Sequence, residues 1–269
     1  MAIHHLNCGT INPLFPHNTQ SILYCLLVET SDGLLLVDTG FGLKDYLNPT
    51  SFIRMFMALL GMERNPEEAA VRRVAKLGFD PADVKHIALT HLHCDHTGGL
   101  PDFPQAKVHV LAEEHSSAMN PRGVLSRFYE PDHWRHHPDW KIYETAEVID
   151  WYGFDSLRIN LIREPEVRFV LLPGHTKGHC GVAIFDGGEW LLHAGDSTYP
   201  FYHDSDPIPP MKPLPWYVTN PPKIIERIAA GDQTPRLRLM LETHGEEVRV
   251  ICSNDSITYS QMRVANAAS

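Results

Sequence analysis

The sequence predicts an α/β protein built in layers, and three observations carry that prediction. Short β-branched and leucine-rich runs alternate with amphipathic segments along most of the 269 residues. Several of these runs end directly in Gly, His or Asp, which puts the polar chemistry on loops at strand ends. The length lies near the upper limit of one hydrophobic core, so a single domain spanning residues 1–269 is expected.

The elements follow in order. SILYCLLVET (21–30) and GLLLVDTG (33–40) predict two strands of a hairpin. SFIRMFMALLGM (51–62) is apolar and of helical length, too short to span a bilayer. Phe52, Met55, Phe56 and Leu59 recur there at helical spacing, a stripe that suits core packing first, and otherwise an acyl-chain wall or a homodimer face. NPEEAAVRRVAKLGF (65–79), with an Asn cap, Pro at its first position, early acids and Gly78 near its end, predicts one helix. VKHIALT (84–90) reads as a strand, and KVHVLAEEH as a strand running into a helix. FVLLPGH, GVAIFD, EWLLHAGD and RLMLETHG continue the alternation and read as strands. Segments near 41–64, 120–142 and 199–217 interrupt the rhythm; the last two are rich in Pro, His and aromatics and are expected as lid-like insertions, with Trp134, His136, His137, Trp140 and Trp216 over a pocket.

Charge and composition exclude several classes. A net charge of −10 without any basic run argues against a nucleic-acid partner. No apolar run reaches the roughly 18 residues that a membrane span needs, and the opening MAIHHLNCGT lacks the features of a secretory signal. Five scattered cysteines, Cys8, Cys25, Cys94, Cys180 and Cys252, contain no C-x-x-C pair and read as reduced thiols. A cytoplasmic protein acting on a small molecule is expected.

The chemistry concentrates in THLHCDHTGG (90–99). His91 and His93, two apart at a strand end, project to one side. Asp95 and His96 follow, and Gly98 and Gly99 let the backbone turn. Imidazole suits zinc, and a carboxylate adds an oxygen ligand for a second cation. Two ions need more ligands than this cluster supplies. His175 after FVLLPG, Asp196 after EWLLHAG and His244 after RLMLET are candidates, each at the end of an expected strand. Nearby residues have plainer readings: Cys94 as a buried thiol, Asp38 as a turn or supporting carboxylate, His179 and His193 as hydrogen-bonding supports, Lys177 as a solvated loop residue.

THLHCDHTGG, PGHTKGH, HAGDS and ETHG in that order, with VDTG at 37–40, resemble the metallo-β-lactamase superfamily from about residue 20 to residue 245. The resemblance implies a four-layer αββα sandwich, two mixed sheets flanked by helices, with a dinuclear metal site at one edge. It also implies that His91, His93 and His175 bind one metal, that Asp95, His96 and His244 bind the second, and that Asp196 bridges them. Two divalent ions are expected, zinc foremost, with iron, manganese or cobalt accepted by the same donors.

Such a pair supplies a metal-bridging hydroxide, and Asp95 could shuttle the proton to a leaving group. The motif pattern is most similar to the lactonases that open N-acyl homoserine lactones, in which a tyrosine follows the bridging aspartate by three residues. Tyr199 stands at that spacing and would donate to the developing oxyanion. The expected activity is hydrolysis of a small ester, foremost a lactone. Thioester or phosphodiester hydrolysis on the same site, and a non-hydrolytic di-iron redox or sensing role, are the alternatives; the thioesterase reading is weakened because little chain follows His244.

Overall fold

The computed structural model describes residues 2–12, 20–122, 125–197 and 233–268. Two six-stranded sheets face each other. The first has the order β1 (Ile3–Ile11), β2 (Ser21–Thr30), β3 (Gly33–Val37), β4 (Val84–Ala88), β5 (Lys107–Leu111), β6 (Asp139–Tyr143). Its β1–β3 portion is antiparallel and its β3–β6 portion parallel. The second sheet runs β12 (Val248–Ile251), β11 (Glu189–His193), β10 (Cys180–Asp186), β9 (Val167–Leu171), β8 (Phe154–Arg158), β7 (Ile149–Trp151). It is antiparallel apart from the parallel pair β11–β12.

The near-continuous apolar runs of β2 and β10 exist because both faces of each sheet are covered. Tyr24, Leu26 and Val28 meet Phe169, Val182 and Ile184 between the sheets. The alternate residues Cys25 and Leu27 pack outward on Val74 of α3 (Ala70–Lys76) and Ala118 of α5 (Ala112–Met119). On the far side Val170, Ala183 and Leu192 cover Leu237 and Met240 of α6 (Thr234–His244). The layers are therefore helix, sheet, sheet, helix, as expected. Each leucine fully withdrawn from water contributes about 2 kcal/mol before entropy is counted. A last helix, α7 (Ser256–Ala268), sets Tyr259 edge-on against Tyr24 at 5.3 Å. Among the described residues no helix is long and apolar enough to cross a membrane.

The 41–64 stretch forms α1 (Leu43–Leu47) and α2 (Ser51–Leu60). The Thr50 hydroxyl caps α2 by accepting from Ile53 N–H at 3.2 Å, and Ile53 and Met57, one turn apart, are buried beside Phe41 and Tyr46.

Three expectations are corrected. The single helix over 65–79 is instead a 3-10 turn, Pro66–Glu68, followed by α3, with Ala69 extended at ψ 137° between them. The cause is tertiary: Glu68 reaches across to accept from Thr10 N–H (2.7 Å) and Thr10 Oγ1 (2.8 Å) on β1. RLMLETH is not a strand but most of α6, with Pro235 in its first turn and Leu237 and Met240, three apart, turned into the core. The 120–142 stretch is more than a lid: Asp139–Tyr143 is the edge strand β6, Trp134 and His133 are buried, and Trp140 packs on His115. The 199–217 stretch, with Trp216, lies outside the described residues.

Candidate metal centre

The site forms where the two sheets meet at one end. Strand β4 delivers His91 and His93; α4 (Cys94–Thr97), a single turn, carries Asp95 and His96. His175 sits on the β9–β10 loop and Asp196 just past β11. The sheets are tied at this edge by Cys180 N–H donating to Thr90 O at 3.0 Å. Gly195 adopts φ +57°, and a Cβ there would lie 2.6 Å from His179 Nε2 and 2.9 Å from Thr90 Cβ, so a side chain would push the Asp196 loop off the site.

Five of the predicted ligands converge. The nitrogens His93 Nδ1 and His175 Nε2 lie 3.0 Å apart. The carboxylate of Asp196 faces both sides of the cluster, Oδ1 at 3.4 Å from His96 Nε2 and Oδ2 at 3.5 Å from His175 Nε2. The His91 ring is 4.0 Å from that of His96 and 4.8 Å from that of His175. Two overlapping ligand sets result, His91–His93–His175 and His91–His96–Asp196, with ligand atoms within 4.8 Å of one another. Asp95 joins at the rim, Oδ2 at 4.0 Å from His96 Nε2.

The cluster fits cations on its own evidence. His91 Nε2, His96 Nε2 and Asp196 Oδ1 are buried and have no hydrogen-bond partner. Orphaned buried polar atoms are rare in folded proteins, because each costs roughly 1–3 kcal/mol. Several of them pointing into one space mark a ligand site for a group that accepts lone pairs.

His244 is the expected ligand that the structure does not bring in. It ends α6, with Nδ1 at 3.2 Å from Glu247 Oε1 and its ring 4.9 Å from that of Tyr152 in the β7–β8 turn. The helix that replaces the expected strand carries it there. Tyr199 lies outside the described residues. Cys94 is buried in the cluster under α2, as expected of a packed thiol.

Supporting bonds fix each ligand. Asp38 accepts from Thr90 N–H (2.9 Å) and Thr90 Oγ1 (2.8 Å), and its Oδ2 stands 2.8 Å from His96 Nδ1. With the His96 proton held on Nδ1 by Asp38, Nε2 is free to face the site. His179 donates from Nδ1 to Leu172 O (3.0 Å) and accepts Asp196 N–H on Nε2 (3.0 Å), which sets the Asp196 backbone. His193 bonds Tyr24 O through Nε2 at 2.7 Å. The role of Glu114, buried below the histidine loop, was missed; no motif marks it.

The electrostatics follow from burial and neighbours. Burial, then the imidazoles of His96, His93 and His175, push His91 well below the usual histidine range, and burial with His175 does the same to His93. Both therefore present neutral, ligating nitrogens. Burial also opposes charge on His96, but the carboxylates of Asp196, Asp38 and Asp95 together outweigh it and raise it well above that range. Burial would raise Asp196; His96, then His175 and His179, overcome this and hold it far below the carboxylate range. Asp95 is pushed up, chiefly by burial, with Asp196 adding to it against the pull of His96.

A sandwich of this kind with a histidine–aspartate cluster at its edge defines a metal-dependent hydrolase. The chain belongs to the metallo-beta-lactamase superfamily, whose sequence profile matches residues 19–234. It is 35% identical over 267 residues to a probable metallo-hydrolase of Mycobacterium tuberculosis, covering 98% of this chain and 83% of that one. An N-acyl homoserine lactonase of Bacillus thuringiensis is 28% identical over 191 residues, 70% of this chain and 68% of that protein. Among solved structures, an N-acyl homoserine lactone hydrolase with N-hexanoyl-L-homoserine at its catalytic metal center superposes with a TM-score of 0.64 at 22% identity, covering 96% and 95% of the two chains. That likeness shows the shared fold.

Proposed function

We propose that the cluster holds two divalent metal ions, zinc foremost, and that the protein hydrolyses a small, neutral or weakly charged ester, in the first place a lactone. The observation that carries this reading is the set of orphaned donors on His91, His96 and Asp196 converging in one buried space. His91, His93 and His175 would hold one ion, and His96 and Asp95 the other. Asp196 would lie between them, since its two oxygens face one ligand of each set. When bound, the ions supply Lewis acidity and an acidified water at neutral pH.

The chain's own residues do the rest. Asp38 and His179 hold His96 and Asp196 in place. Asp95, at the rim with Oδ2 4.0 Å from His96 Nε2, is placed to take a proton and return it to the departing alkoxide of the opened ring. Tyr199 keeps its proposed place as a donor to the substrate oxygen. An aromatic wall leads away from the metals: Phe128 lies 5.4 Å from His93, Phe56 5.6 Å from Phe128, and Phe52 stacks on Phe56 at 5.9 Å. Such a wall favours a substrate with an apolar tail, and the lactonase names among the relatives point the same way. The five cysteines are buried and form no disulfide, which agrees with the proposed cytoplasmic setting.

The test is metal content by mass spectrometry together with a pH-indicator assay on lactones, thioesters and aryl phosphodiesters. About two equivalents with lactone opening are expected. Two equivalents with turnover of thioesters or phosphodiesters alone would move the substrate, and a coloured, iron-bearing protein without hydrolysis would favour the redox alternative. His244→Ala belongs in the same experiment: unchanged metal content follows from its pairing with Glu247 and Tyr152, whereas loss of one equivalent follows from the resemblance.

A further inference from the structure

We propose that Glu114 is a positioning residue that assembles the three-histidine half of the metal centre, His91, His93 and His175, without touching a metal itself. The inference rests on the metal reading of the cluster given above. Glu114 lies in the first turn of α5, directly after β5, and its side chain is fully buried beneath the site. Its Oε1 accepts from Leu92 N–H at 2.9 Å and from the Tyr129 hydroxyl at 3.2 Å; Oε2 accepts from the Thr176 hydroxyl at 2.6 Å.

Each of these donors is next to a ligand. Leu92 stands between His91 and His93, and Thr176 follows His175. Tyr129 pairs with His93 through an isolated antiparallel bridge and sets its ring 5.4 Å from the imidazole. One carboxylate thus gathers three chain segments, of which only His93 and Tyr129 are otherwise paired, through a single isolated bridge. The close approach is built into the backbone: a Cβ on Gly178 would fall 2.2 Å from Glu114 N and 2.6 Å from its Cα.

The His96 half has its own anchor in Asp38, bonded to His96 and Thr90 and to none of the Glu114 donors. Asp38 also reaches His91 through Thr90, whose hydroxyl lies 3.1 Å from His91 Nδ1, so the part of the centre that rests on Glu114 alone is His93 and His175. A buried anion satisfied by several donors keeps those donors in one geometry, because any of them that moves leaves the charge underbonded. Supporting groups of this sort typically govern metal affinity by about 10- to 100-fold.

The test is a zinc titration of the metal-free protein against a chromophoric chelator, for wild type, Glu114→Gln, and reference variants His175→Ala and His96→Ala. Glutamine keeps the shape but turns an N–H₂ toward donors that need an acceptor. Glu114→Gln should weaken one equivalent about 10- to 100-fold and spare the other. In the His175→Ala background it should add little, since both act on the same half. The urea midpoint of the metal-free protein should also fall, since buried donors lose their acceptor; the distinguishing result is that only one of the two equivalents weakens.

If Glu114→Gln does not fold, Thr176→Val removes one donor alone and should still weaken a single equivalent. Wild-type affinity for both equivalents overturns the inference, and so does equal weakening of both. A wild-type chain that takes up no zinc overturns the metal reading and this inference with it.

Discussion

Replacing Asp196 with alanine is expected to remove one equivalent of metal and to lower ester hydrolysis by about 10³-fold or more, the scale on which a preorganised electrostatic group at a reaction centre acts. Among the described residues, Asp196 is the one whose two oxygens face both ligand sets, at 3.4 Å from His96 Nε2 and 3.5 Å from His175 Nε2. Without it no carboxylate among the described residues stands between the sets. The metal-free variant should itself be less stable above about pH 4, where the ionised carboxylate faces His96 and His175 in the wild type. What the variant should lose is the rise in melting temperature on adding zinc, since stabilisation by a ligand follows its affinity. Metal analysis and calorimetry with and without zinc measure both effects. Undiminished metal content and hydrolysis would refute the proposed dinuclear site.

Asp38→Asn should act through the far side of His96. The amide N–H₂ would face His96 Nδ1, which donates to Asp38 in the wild type. To accept instead, the imidazole must carry its proton on Nε2, the atom turned toward the metals. Zinc affinity of that half is expected to fall about 10- to 100-fold. Stability is expected to fall by about 1–3 kcal/mol because buried donors lose their acceptor.

The pH dependence of the metal-free chain separates this from a packing defect. Burial works against ionised Asp38, but His96 outweighs it and holds the carboxyl below its ordinary range. Its share of stability is therefore complete above about pH 4 and lost as pH falls through the depressed folded value. His96 is raised, so its share is complete below about pH 6.5 and lost as pH rises through the raised folded value. The advantage of wild type over Asp38→Asn should peak between roughly pH 4 and 6.5. Urea unfolding across that range and up to pH 9 measures it, and a gap independent of pH would contradict the pairing. Zinc binding should strengthen as pH rises, because the ion displaces the His96 proton.

The parts of the molecule that were legible beforehand are those with strong local signals. The hairpin β2–β3 and the strands β4, β5, β9, β10 and β11 stand out as apolar runs bounded by turns. The histidine cluster stands out by composition. The misreadings have physical causes. LRLMLE satisfies period two through Leu237, Leu239 and Leu241, and also a helical period through Leu237, Met240 and Leu241; the packing of Leu237 and Met240 on the second sheet selects the helix. The break at Ala69 depends on Thr10, 58 residues from Glu68. Strand β6, in a Pro- and His-rich stretch, exists because β5 offers it an edge, with Lys107 opposite Asp139 through to Leu111 opposite Tyr143.

The sequence by itself determined the kinds of donor, their order, and the placing of His91, His93 and His96 within one loop, because spacing along a strand end or a single turn is local geometry. Only the tertiary structure decided which distant residues complete the centre. It brought His175 to within 3.0 Å of His93 across 82 positions, and it set the buried carboxylates of Asp38 and Glu114 against the histidine loop. It also carried His244 away on a helix. Those outcomes depend on how two sheets and their helices share buried surface, and that balance is struck over the whole core rather than within any one motif.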